Sequence, residues 1–203
     1  MFFKQIKHRG DNFSYVVADD STNEAAIVDP SLNAEAIVQV VEDHGLNVIY
    51  IVNTHHHPDH TAGNENLKQR LHAKIVAHEE SSVKKDIGVR NGEILRLGRV
   101  SIRVIHTPGH TPDSVCLLVD GKLLTGDTLF VGECGRTDLP GGSPSDMFRS
   151  LFEKLMKLDD DVKVYPGHDY GSNPSSTIGK ERRTNYVLVE RSLEEFVEFM
   201  RIP

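Results

Sequence analysis

An α/β fold, two sheets covered by helices, is the class predicted by this 203-residue sequence. Three observations predict it. Short runs rich in Val, Ile and Tyr, bounded by turn residues, alternate with helical patterns along the whole chain. Runs that look like antiparallel hairpins gather toward each end, with helices interspersed. No internal repeat, low-complexity tract or flexible linker interrupts the pattern, and the length suits one sizeable core. Residues 1–203 are therefore read as a single domain.

In chain order, "NFSYVVAD" (12–19) and "EAAIVD" (24–29) are the first strand candidates. A helix over 34–44 is expected to bury Ile37, Val40 and Val41, with Gly45 where a C-terminal cap belongs. Strands follow at 48–53, 73–77, 100–106, 114–120 and 122–127, and Asp120-Gly121 between the last two is a hairpin signal. Residues 132–145 hold four glycines and two prolines and read as a functional loop. In "GGSPSDMFRSLFEKLMKL", Ser143 can cap, Pro144 fits the first helical position, and Met147, Phe148, Leu151, Phe152 and Leu155 share a face. A strand at 162–167 precedes a last helix, 192–200, which opens on a Ser192–Glu195 capping box and is expected to pack on its own core.

Composition narrows the function classes. Apolar content is 38% and charged content 26%, as in ordinary globular proteins. The net charge of −7 argues against nucleic-acid or anionic-membrane partners, which need a concentrated basic face. Two cysteines, Cys116 and Cys134, make no disulfide framework, and Cys116 in "SVCLLV" reads as a core thiol. The opening "MFFKQIKHRGDN" has no apolar run long enough for a signal peptide, and no segment reaches the ~18 apolar residues of a membrane span. A cytoplasmic protein, monomer or homodimer, acting on a small molecule is the expectation.

The chemistry concentrates in "NTHHHPDHTAGN". His55, His57, Asp59 and His60 follow the strand 48–53 directly, and Pro58 stiffens the turn between the pairs. His55 and His57 can share one metal and Asp59 and His60 a second, whereas His56 is expected to point away. Three more donors each sit after an apolar strand, preceded by glycine: His110 after Gly109, Asp127 after Gly126 and His168 after Gly167. Glycine there permits close backbone approach to a crowded site. His8, His44, His72, His78 and His106 lack this context and read as solvated surface histidines.

"HHHPDH", with the later His, Asp and His in order, resembles the signature of the metallo-β-lactamase superfamily from the first strands to about residue 170. The resemblance implies an αββα sandwich with two divalent ions, zinc above all, at one edge between mixed sheets. One ion would take His55, His57 and His110, the other Asp59, His60 and His168, with Asp127 bridging. Asp29 in "AIVDP" would brace the metal loop from behind. Within the superfamily the chain looks most like the glyoxalase II and persulfide dioxygenase groups. "GDTLFVGECGR" places Arg136, and "GHDYG" places Tyr170, where a thiol-derived substrate would be held. "RTDLPGG" is nearer the dioxygenase, and glyoxalase II's helical extension needs more residues than follow here.

Two ions sharing a carboxylate can hold a water, lower its pKa to about 7 and polarise a carbonyl, which suits thioester hydrolysis by a metal-bound hydroxide. Asp59 would also orient that nucleophile as the catalytic carboxylate. Alternatively His55, His110 and Asp127 form the facial triad of a mononuclear iron persulfide dioxygenase. Neighbouring first-row ions, iron and manganese included, suit the same donors. A nuclease would need a basic track that the charge balance lacks. A purely structural metal site would close with four ligands, not seven.

Overall fold

The computed structural model describes residues 1–31 and 33–201. Its first sheet is built in chain order from Phe2–Lys7 (β1), Phe13–Ala18 (β2), Glu24–Val28 (β3), Asn47–Val52 (β4), Lys74–His78 (β5) and Ile87–Val89 (β6). β1 to β3 form an antiparallel meander, and β3 to β6 run parallel. The first two parallel steps are crossed by Ala34–Asp43 (α1) and by Pro58–Thr61 (α2) with Asn64–Leu71 (α3), and the third, β5 to β6, by the loop 79–86.

The second sheet holds Ile94–Leu97 (β7), Val100–His106 (β8), Val115–Val119 (β9), Lys122–Gly126 (β10), Lys163–Pro166 (β11) and Ser176–Thr177 (β12), in the order β12-β11-β10-β9-β8-β7. Only β10 and β11 pair in parallel, and Pro144–Phe148 (α4) with the helical turns reaching Lys157 carries that crossover. Ile178–Thr184 (α5) and Leu193–Phe199 (α6) complete the chain.

Side-chain alternation assembles these pieces into four layers. In β2, Phe13, Tyr15 and Val17 face the second sheet, while Val16 and Ala18 face α1 and its neighbours; every β2 residue is buried. Leu95, Ile102, Val104, Leu117 and Leu124 meet them from the second sheet. Met147, Leu151, Leu155, Ile178 and Phe196 cover that sheet's outer face. Helix, sheet, sheet, helix is the predicted αββα sandwich.

Several local expectations hold. Gly45 takes φ +58° after α1, and Asp120 and Gly121 take φ +46° and +69° in the hairpin. Ser143 accepts from the Asp146 amide above Pro144. Ser192 and Glu195 close the capping box, and Phe196 of α6 packs against Phe148 and Phe152 of its own core. Others need correction. In α1 the fully buried set is Ala34, Ile37, Val38 and Val41, so the helix is turned toward Val38 and Val40 lies only part-buried. The segments β1, β6, β7, β12, α2, α3 and α5 lie outside the predicted elements. No helix among the described residues is long and apolar enough to cross a membrane.

Strand direction positions the site. β3 and β4 are parallel, and β8 runs the same way as β10 and β11 because β9 reverses between them. The turns after these five strands carry Asp29, His55, His110, Asp127 and His168. The backbone also ties the two sheets together there: Phe13 N donates to Gly167 O at 2.8 Å and Asp169 N to Asp11 O at 2.7 Å.

Candidate metal centre

The metal loop is built around Asp29. It takes φ +49°, and its buried carboxylate accepts from the Thr54 amide at 2.7 Å and the Thr54 hydroxyl at 2.6 Å. His60 Nδ1 donates to the same carboxylate at 3.1 Å, which turns Nε2 toward the centre. Below it, Asn53 and Asn64 exchange side-chain hydrogen bonds, and Asn53 also donates to His60 O. Pro58 does more than stiffen a turn: it begins α2, whose single turn presents Asp59 and His60.

All seven predicted donors converge. His55, His57 and His110 form one group that could hold an ion, Asp59, His60 and His168 another, and Asp127 joins His55 and His60 between them. His57 Nδ1 lies 3.1 Å from His55 Nε2 and 3.0 Å from His110 Nε2. His60 Nε2 lies 3.1 Å from His168 Nε2 and 3.4 Å from Asp59 Oδ2. Asp127 reaches both groups, with Oδ2 3.6 Å from His110 Nε2 and 3.3 Å from His168 Nε2, and Oδ1 3.4 Å from His60 Nε2. Ligands at ~2.0–2.1 Å around a tetrahedral ion stand about 3.3 Å apart. The donor spacings match that figure, so the residues fit the ions that the resemblance implies.

Every donor imidazole but that of His57 is held from behind. His110 Nδ1 donates to Arg136 O at 2.8 Å, His168 Nδ1 lies 3.1 Å from Asp11 Oδ1, and His55 Nδ1 lies 3.1 Å from Thr54 Oγ1. Asn12 Nδ2 donates to Asp59 Oδ2 at 2.9 Å. Such partners fix the ring orientation and set which nitrogen carries the lone pair. Asp11, Asn12, Thr54 and the Arg136 carbonyl are contributors that the sequence reading missed. "RGDN" reads as an ordinary turn, and nothing local signals its contact with His168.

The electrostatics also favour a cation. Burial, then neighbouring His60, push His55 well below the ordinary histidine range, and burial with His110 lowers His57, so both present neutral lone pairs. Burial opposes ionisation of Asp127, yet His60, His168 and His55 hold it far below the usual carboxylate range. Its buried Oδ1 has no hydrogen-bond partner. For His60, burial is outweighed by Asp127, Asp29 and Asp59, which raise it to about 9. Three carboxylates around one buried imidazole concentrate negative potential where an ion would sit.

His56 points away, as expected, and its Nδ1 bonds Asp113 Oδ1 at 2.7 Å, linking this loop to the His110 loop. Two of the histidines assigned to the solvated surface are not there. His8 is buried against Ser14 Oγ at 2.7 Å, and buried His78 stacks on His106 at 4.0 Å between ring centroids. Gly109, Gly126 and Gly167 are all tightly enclosed. A Cβ on Gly126 would lie 2.4 Å from Thr54 Oγ1, and one on Gly167 2.4 Å from Asp127 Oδ1, whereas Gly109 is crowded by Met147 of α4.

A cavity of about 890 Å³ opens beside His110 and Asp127, and both Arg136 and Tyr170 line it. The Arg136 guanidinium donates to both oxygens of Asp138 at 2.6 Å. The Tyr170 ring lies parallel to His168 at 4.8 Å and edge-on to Phe130. Cys134 is buried, its thiol pushed up to about 12 by burial, and lies 3.9 Å from Met200 Sδ. Cys116 is a core thiol as predicted, pushed up to about 11 by burial.

The chain is similar to known proteins over most of its length. The family model of the metallo-β-lactamase superfamily matches residues 9–86 and 80–168. Human mitochondrial persulfide dioxygenase ETHE1 is 35% identical over 192 residues, covering 93% of this chain and 75% of that protein. A hydroxyacylglutathione hydrolase from Anaeromyxobacter dehalogenans is 35% identical over 174 residues, covering 85% and 67%. The crystal structure of ETHE1 from Myxococcus xanthus superposes with a TM-score of 0.95 at 33% identity, covering 100% of this chain and 91% of that one.

Proposed function

The chain belongs to the metallo-β-lactamase superfamily, and from that premise we propose that it is a metal-dependent hydrolase cleaving the thioester of a small thiol. One observation carries the reading: seven donors fall into two groups at ligand spacing, with Asp127 shared between them. His55, His57 and His110 would hold one divalent ion, Asp59, His60 and His168 the other, zinc being the expected metal. Such ions supply Lewis acidity, lowering the pKa of bound water to about 7 and polarising an acyl oxygen.

The chain's own residues do the rest. Asp59 is part-exposed toward solvent, is fixed by Asn12, and is held below the usual carboxylate range by His60 and that hydrogen bond against the opposing effect of burial. It is therefore ionised, and orients the attacking water by accepting a hydrogen bond from it. The water oxygen bonds to the acyl carbon, the C–S bond breaks, and the thiol leaves with a proton. Tyr170, stacked on His168, lines the approach for the thiol portion, and Arg136 can exchange Asp138 for a substrate carboxylate. We place the reaction in a reducing cytoplasm, in keeping with two free thiols.

A second reading is favoured by the near-complete superposition on ETHE1 from Myxococcus xanthus. In it one iron is held by His55, His110 and Asp127, and the substrate is the persulfide of a small thiol. The two are separated by metal counting and gas exchange. The hydrolase should carry two divalent ions per chain and cleave an acylated thiol without oxygen. One iron per chain, with oxygen uptake on a persulfide and no anaerobic thioester cleavage, would replace it with the dioxygenase.

A further inference from the structure

The cavity beside the donors extends well past them, to α6 and the turn Tyr186–Leu188. Away from His110 and Asp127 its walls are Phe130, Val187, Phe199 and Met200, with Tyr170 and Tyr186 on the rim. Both tyrosines leave more than half their surface to solvent, at 56% and 51%, among the largest exposed hydrophobic groups of the chain. Their rings have apolar neighbours inside: Tyr170 meets Phe130 at 5.0 Å and Tyr186 meets Phe199 at 6.0 Å.

The charged groups of this cavity are already engaged. Arg136 is gripped by both oxygens of Asp138 at 2.6 Å, and Arg201 by Glu198 at 3.2 Å. Glu133 accepts the Tyr186 hydroxyl. Beyond the donors, the lining therefore offers two arginines that must exchange partners before taking a ligand carboxylate, and it adds the negative charge of Glu133. A peptide thiol with two carboxylates and an ammonium group would have to break both ion pairs. An aliphatic or aromatic group would break none, and would gain up to about fourfold in affinity per methylene removed from water.

We propose that this cavity is a binding site for the apolar body of the substrate, selecting small thiol derivatives with an aliphatic or aromatic group and no more than one carboxylate. The inference rests on reading the donor cluster as the reaction centre, and it names the substrate class of that centre.

The test uses uncleavable thioethers titrated calorimetrically into the zinc-loaded full chain: the methyl, butyl and hexyl thioethers of N-acetylcysteamine, and S-methylglutathione. The hexyl compound should bind at least tenfold tighter than the methyl one, and S-methylglutathione no tighter than the methyl compound. Phe199→Ala should erase most of the hexyl gain without changing the methyl affinity. Tyr186→Ala, at a half-exposed position, should lower the hexyl affinity severalfold. A flat series, or tighter binding of S-methylglutathione, overturns the assignment. Because thioethers cannot be hydrolysed, absence of thioester cleavage would remove the hydrolase reading and leave this result standing. Cleavage with a flat series would remove only the apolar site.

Discussion

Replacing Asp29 by Asn isolates what its carboxylate does for the metal loop. Asn keeps the size and also tolerates the positive φ at this position, so backbone strain is not at issue. The change swaps an acceptor for an N–H donor. Oδ1 would still accept from the Thr54 amide, but the new amide nitrogen would face the Thr54 hydroxyl and His60 Nδ1–H, both now donating toward it. The hydroxyl can rotate; the imidazole can only move its proton to Nε2, the atom that must carry the lone pair for an ion. Loss of a partner of this kind weakens metal binding by about 10–100-fold, or roughly 1.4–2.7 kcal/mol. Competition with a chromophoric chelator should show that loss chiefly for one zinc of the two, because His60 groups with Asp59 and His168 and with His55 and Asp127 but not with the set His55, His57 and His110, in which His110 keeps the Arg136 carbonyl. Unchanged affinities for both ions, within threefold, would refute the reasoning and leave Asp29 an ordinary turn residue.

Gly167→Ala should abolish binding of the same ion, read as zinc content after dialysis, because the added Cβ would lie 2.4 Å from Asp127 Oδ1 and 2.8 Å from His60 Cε1. Asp113→Ala removes the buried carboxylate that bonds part-exposed His56, and should lower metal-free stability by about 1 kcal/mol in urea unfolding, the net worth of one such hydrogen bond. Asp19 gives a pH dependence. The Arg99 amide, then the Ser21 hydroxyl and amide, depress its folded pKa, so its stabilisation is complete above the unfolded value near 3.9 and is lost as pH falls through the folded one. The urea midpoint of Asp19→Asn should therefore trail that of the original chain at pH 6, with the gap closing below pH 4. A gap that does not change over that range would show that Asp19 contributes no proton-linked stability.

What the sequence discloses and what it hides follow from how far apart cooperating atoms lie along the chain. His110, Asp127 and His168 could be found because each donor, its glycine and its strand are contiguous. Asp11 and Asn12 could not, since their roles exist only once β2 starts beside Gly167. Helix α3 escaped because "NENLKQRL" offers one fully buried apolar residue, Leu67, and no side-chain cap. Strand β1 escaped because only Ile6 of "FFKQIK" is fully buried, which leaves little alternation to detect. In α1, Val38 and Val40 both lie within reach of the face set by Ile37 and Val41, and only the sheet beneath decides between them. His8 and His78 look like surface residues because their partners, Ser14 and His106, meet them through tertiary packing.

The donors are divided four to three between the two leaves of the sandwich. His55, His57, Asp59 and His60 hang from the first sheet, and His110, Asp127 and His168 from the second. Bound cations would therefore act as rivets along one seam, joining chain segments that are more than a hundred residues apart in sequence. Stripping them should release that seam first: amide hydrogen exchange ought to quicken around 53–62, 107–111 and 126–128, while β1 and β7, which carry none of the donors, keep their protection.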